Sequence, residues 1–159
     1  MIDAIDEINK AEYLFLASIE EFAQNNLRIV VQEGRATGVP KNIEVAGTVI
    51  RDVRSVSPYV HSAWEILIER YVAYSVRNES YVKADPEESW SGHLFRTYSK
   101  SKFLDYVRGS TFACEEYPGP LRHYELVCSD HIIYVVVARH PAIQRIGSQP
   151  GAGAGADPP

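Results

Sequence analysis

Apolar and polar positions alternate through HYELVC and HIIYVVVA, the two stretches that flank Ser129-Asp130. A period of two marks a strand, and two such stretches around a two-residue polar break predict a hairpin. The break sets the register. Cys128 faces His131, and Tyr124, Leu126, Ile133, Val135 and Val137 share their side. That mostly apolar side is the expected core face. The opposite side pairs Val127 with Ile132, Glu125 with Tyr134 and His123 with Val136, a mixed face expected to be partly wet.

The opening of the chain has another period. Ile5, Ile8, Phe15, Ile19 and Phe22 recur at steps of three, four or seven, which predicts a helix over 3–24. Asp3, Asp6 and Glu7 suit the dipole at its first turn. LRIVVQE (27–33) is β-branched and predicts a strand, one that could pair along an exposed edge across a dimer axis. Residues 34–42 read as a loop from their Gly and Pro content. Residues 43–56 read as a strand, with Gly47 marking a bulge or close approach. The stretch 63–77 fits both periods. Ser62 and Glu65 would supply a helix capping box, but the wealth of Trp, Ile, Tyr and Val favours a strand. Residues 83–92 read as a polar loop and 93–99 as a strand. KFLDYVR then makes a short helix capped by Ser99 or Ser101, with Gly109 placed as a C′ residue.

This order predicts an α+β fold: an N-terminal helix packed on a mainly antiparallel sheet of about six strands, with one short helix before the C-terminal hairpin. Residues 1–146 form one domain. GSQPGAGAGADPP (147–159) is low in complexity and expected to be a disordered tail.

Charge and composition narrow the function. The net charge of −5 over 159 residues disfavours a general nucleic-acid binder, which neutralises phosphates with Lys and Arg, and suits a basic partner. The N-terminus lacks a signal-peptide pattern, and no apolar run is long enough to cross a bilayer. With only Cys114 and Cys128, a reducing cytoplasmic compartment is expected. Asn78-Glu79-Ser80 matches a glycosylation acceptor by coincidence on this reading.

Candidate chemistry falls into groups. Cys128 and His131 are cross-strand neighbours and could form a thiol–imidazole pair, but Asp130 sits in the turn, poorly placed to orient the ring. Arg96, Ser99, Lys100, Ser101 and Lys102 gather at a helix N-terminus that could attract an anion. The five histidines show no metal-ligand spacing, and neither a metal nor another cofactor is expected. The aromatics and acids suggest a binding surface: Trp90, Tyr81, Tyr117 and Tyr134, with Glu125. The favoured expectation is a small cytoplasmic, non-enzymatic domain that binds another protein, neutralising a basic partner as an immunity protein does. The alternative is a small enzyme or anionic-ligand binder using the Arg96/Ser99–Lys102 helix end or the Cys128/His131 pair.

Overall fold

The computed structural model describes residues 3–147, the side chain of Val60 excepted. Among the described residues, two short helices and nine strands run in the order α1 (Ala4–Ile8), β1 (Tyr13–Phe22), β2 (Asn26–Val45), β3 (Thr48–Ile68), β4 (Ala73–Asn78), β5 (Ser89–Ser91), β6 (Phe95–Lys100), α2 (Lys102–Ser110), β7 (Arg122–Val127), β8 (His131–Val137) and β9 (Ala142–Ile146). The strands form two antiparallel sheets, β1-β2-β3-β9 and β4-β8-β7-β6-β5. Alternation explains their packing. Ile29 and Val31 of β2 and Trp64 and Ile66 of β3 project from one sheet; Phe95, Leu126, Ile133 and Val135 project from the other; all join a single buried cluster. Each such apolar side chain contributes about 1.5–3 kcal/mol by leaving water. The antiparallel sheet and the short helix before the β7–β8 hairpin match expectation. The single sheet of about six strands does not: the strands are divided between two sheets.

The long N-terminal helix is also overturned. Only Ala4–Ile8 is helical, capped by the Asp3 carboxylate, and residues 13–22 are β1. The pairing of β1 with β2 slips between Leu16 and Ser18. Leu14 and Leu16 face the core before this bulge and Ile19 after it. The extra residue makes Leu16 to Ile19 a step of three on the core face, while Phe15 and Phe22, which suggested a helix, lie outside the core cluster. Asn9 then secures the segment. Its Oδ1 accepts from the backbone N–H groups of His93, Leu94 and Phe95 at 2.9, 2.7 and 2.8 Å, and its Nδ2 donates to the Phe95 carbonyl at 2.9 Å.

Residues 34–42 are strand rather than loop. They belong to β2, which turns at Ala46-Gly47 into β3; both turn residues have positive φ, 48° and 80°. Gly47 therefore makes a tight hairpin turn, where left-handed backbone suits glycine, not a bulge within one strand. Beyond the body the two strands project as a ribbon whose tip is exposed on both faces. Segment 27–33 lies between β1 and β3, so it is central and cannot serve as an exposed edge.

Residues 63–77 are extended, not helical, but divided. β3 ends at Ile68, Arg70 turns with φ 49°, and β4 begins at Ala73 in the other sheet. The short helix α2 runs through Gly109 to Ser110, so the chain leaves it two residues later than the glycine suggested, with Thr111 as its cap. Asn78 accepts from the Ser80 N–H at 3.0 Å, capping a single 3-10 turn at Glu79–Tyr81. Most of the expected tail, 148–159, lies outside the described residues.

Candidate functional site

The β7–β8 hairpin has the register its sequence dictates: Glu125 opposite Tyr134, His123 opposite Val136, Val127 opposite Ile132. Cys128 N–H donates to the His131 carbonyl at 2.8 Å, closing the turn around Ser129-Asp130. The face carrying His123, Glu125 and Tyr134 is drier than expected. His123 is 0% and Glu125 2% exposed. Leu104 and Val107 of α2 pack on Val136, and the segment from Glu79 to Trp90 borders the rest.

Burying a carboxylate is costly unless its oxygens are paired. Glu125 is served from β6. Tyr98 Oη donates to Glu125 Oε2 at 2.7 Å, and Arg96 Nη1 lies 3.3 Å from the same oxygen. Burial, and then the bond to Glu125, hold the Tyr98 phenol far above its ordinary pKa, so it remains a donor. Around this centre lies a cleft of about 240 Å³ lined by Trp90, Arg96, Tyr98, Glu125 and Tyr134, with Glu79, Asp85 and Glu88 among its acids. The Arg96 guanidinium sits over Trp90 at 4.8 Å and that of Arg77 over Tyr134 at 4.6 Å.

Beneath the cleft is a second polar pair. Ser101 Oγ accepts from the Leu104 N–H at 3.0 Å, capping α2, and lies 2.7 Å from His123 Nδ1. With the hydroxyl oxygen engaged at the helix end, its proton is available to Nδ1, and a neutral imidazole then carries its own proton on Nε2. That nitrogen is buried with no hydrogen-bond partner among the described residues. The ring is stacked on Tyr98, with centroids 4.2 Å apart, and meets Tyr134 edge-on at 4.9 Å. Burial, with the charge of Arg77 second, pushes the His123 pKa down to about 4.

Of the expected binding residues, Trp90, Glu125 and Tyr134 come together. Tyr81 and Tyr117 are exposed and line no part of this cleft. The expected anion site is divided. Arg96 belongs to the cleft, while Ser101 is a cap. Ser99 Oγ donates to the Ser89 carbonyl at 3.2 Å, and Lys100 is exposed at the end of β6. The start of α2 is occupied by the chain's own acids: Lys102 N–H donates to Glu88 Oε1 at 2.8 Å, and Lys102 Nζ lies 2.6 Å from Asp85 and 2.7 Å from Glu87. Cys128 and His131 are also separated in environment. The thiol is 1% exposed and pushed up to about 12 by burial, with Asp130 adding to the shift. His131 Nδ1 instead approaches Asp130 at 2.8 Å. A thiol so raised has almost no thiolate at neutral pH.

Sequence reading missed Tyr98, His123 and Asp85 as parts of one site. One signal was present: Arg96 and Tyr98 are two residues apart and so share a strand face. Placing that face against Glu125 required knowing that β6 neighbours β7. Among the described residues, no group of three or more His, Cys, Asp or Glu is placed to hold a metal, and no helix is long and apolar enough to cross a membrane. Comparison with protein-family models, curated proteins and solved structures finds no match for this chain.

Proposed function

We propose that the chain is a non-enzymatic protein-binding domain whose cleft takes a lysine or arginine side chain of a basic partner. The observation that carries this reading is the convergence of Trp90, Tyr98 and Tyr134 with Glu79, Asp85, Glu88 and Glu125 around one cleft. Aromatic faces and carboxylates together suit a cation that must shed water. The stacking of Arg96 and Arg77 on two of these rings supports the same preference from within the chain. A partner's cation would displace or sit beside Arg96, exchanging one charge-assisted contact to Glu125 for another. The acidic net charge would speed encounter with a basic surface.

A tetra-arginine peptide is a sufficient probe. In an NMR titration, its addition is expected to shift the Trp90 indole N–H and the Glu125 and Tyr134 amides. The Trp90→Ala variant should bind at least about tenfold more weakly, the scale of a lost cation–π contact combined with lost packing. Equal binding by Trp90→Ala, or shifts confined to residues outside the cleft, would overturn the reading.

A further inference from the structure

Among the described residues, no layer covers the ribbon of β2 and β3 beyond Gly34 and Pro58. Val39 is 78% exposed, and Ile43, Val45, Val49 and Ile50 are also exposed. Ile43 pairs with Ile50 and Val45 with Thr48, so one face of the tip presents two isoleucines and a valine. An isolated two-stranded ribbon is marginally stable in water. Exposed apolar surface of this kind commonly marks an interaction site.

Charge distinguishes the ribbon from the rest of the chain. Arg35, Lys41, Arg51 and Arg54 outnumber Glu44 and Asp52, giving a basic arm on an acidic protein of net charge −5. At the root of the same arm lies an open groove of about 450 Å³, walled by Tyr13, Leu14, Phe15, Leu94 and Val127. Glu79 lies on the groove, and its N–H donates to the Asp130 backbone carbonyl in the turn that follows Ser129 of the groove wall. Apolar walls with the Glu79 carboxylate among them complement an apolar tip flanked by Lys41 and Arg51. The eleven steps from Gly34 to Val45 reach roughly 35 Å at about 3.3 Å per residue, too far for the tip to fold back onto its own root without a bend.

We propose that the occupant of this groove is the arm tip of a second copy of the chain, in a two-fold dimer whose arms lie antiparallel, the tip of each at the root of the other. Such an interface is isologous: one patch supplies both tip and groove, and the exchange is closed at two copies. Glu79 and Val127 border both the groove and the cleft, but the inference does not depend on what the cleft binds.

Sedimentation of the full chain is the test. At roughly 0.1 mM, a concentration that populates even a weak dimer, the protein should sediment at twice its 17.8 kDa mass. The exposed pair Ile43→Asp/Ile50→Asp should return it to monomer with an unchanged circular dichroism spectrum. Lys41→Glu/Arg51→Glu should lower the association constant at least about tenfold, and adding Glu79→Lys should recover part of the loss. Trp90→Ala should leave the assembly unaltered, which separates this outcome from the fate of the cleft. A monomeric wild-type chain, or a dimer indifferent to Ile43→Asp/Ile50→Asp, overturns the proposal. Loss without any recovery by Glu79→Lys overturns the groove as the docking site.

Discussion

Tyr98 and Glu125 share a short hydrogen bond of 2.7 Å across neighbouring strands, and it joins the floor of the cleft to the interior of the second sheet. Removing the hydroxyl leaves a carboxylate at 2% exposure with one donor fewer. Tyr98→Phe should therefore lower unfolding stability by about 1–3 kcal/mol, read as a shift of the urea midpoint. If Tyr98→Phe costs less in a Glu125→Gln background than in the wild type, the two groups act as a pair. Equal costs in both backgrounds would place the loss in packing instead.

Asn9 should be among the most sensitive polar positions. Asn9→Ala strands the N–H groups of His93, Leu94 and Phe95 where the chain enters β6. A loss of about 2–4 kcal/mol is expected, because each orphaned buried group costs about 1–3 kcal/mol and water can reach some of them. Asn9→Asp keeps the acceptor and should retain more than half of the lost stability. A thermal melt of the three proteins decides the matter.

His123 should give the fold an acid-sensitive term. Its folded pKa of about 4 lies below the ordinary 6.5, so the unfolded chain binds the proton more readily. The stability it supports is complete above pH 6.5, falls as pH drops from there towards 4, and is then constant. The integral of the shift is about 3 kcal/mol. Urea titrations at pH 7.5 and 4.5 should show a smaller difference for His123→Gln than for the wild type. An identical difference would show that the ring does not titrate between the two states.

The two thiols should behave differently. Cys114 is exposed and Cys128 is buried with its pKa raised to about 12. Iodoacetamide at pH 8 should add one label to the native protein, at Cys114, and two in urea. Rapid native labelling of Cys128 would revive a nucleophilic role for it and contradict its burial.

Local pattern was sufficient where one strand pair contains the answer. The β7–β8 register and the position of Ser129-Asp130 were legible, and the cap of α2 was narrowed to Ser99 or Ser101, because each depends on residues within one hairpin or one helical turn. Pattern failed where an irregularity altered the period, as at the Leu16/Ser18 slip. It also failed where a turn was hidden inside an apolar run, as at Ala46-Gly47. The cleft was half legible. Trp90, Glu125 and Tyr134 stood out by type, but Tyr98 and His123 looked ordinary. Their importance comes from β6 lying beside β7 and α2 covering both, relationships that join distant parts of the chain.

The first sheet is not continuous in the chain. Glu65 of β3 pairs with Gln144 of β9, and every strand between β3 and β9 in the chain belongs to the other sheet. During synthesis on the ribosome, β1, β2 and most of β3 can pair early, yet one side of β3 stays bare until residues 142–146 have emerged. A nascent chain paused before that point would present an unpaired strand to its neighbours, so the last strand acts as a closing seal on assembly.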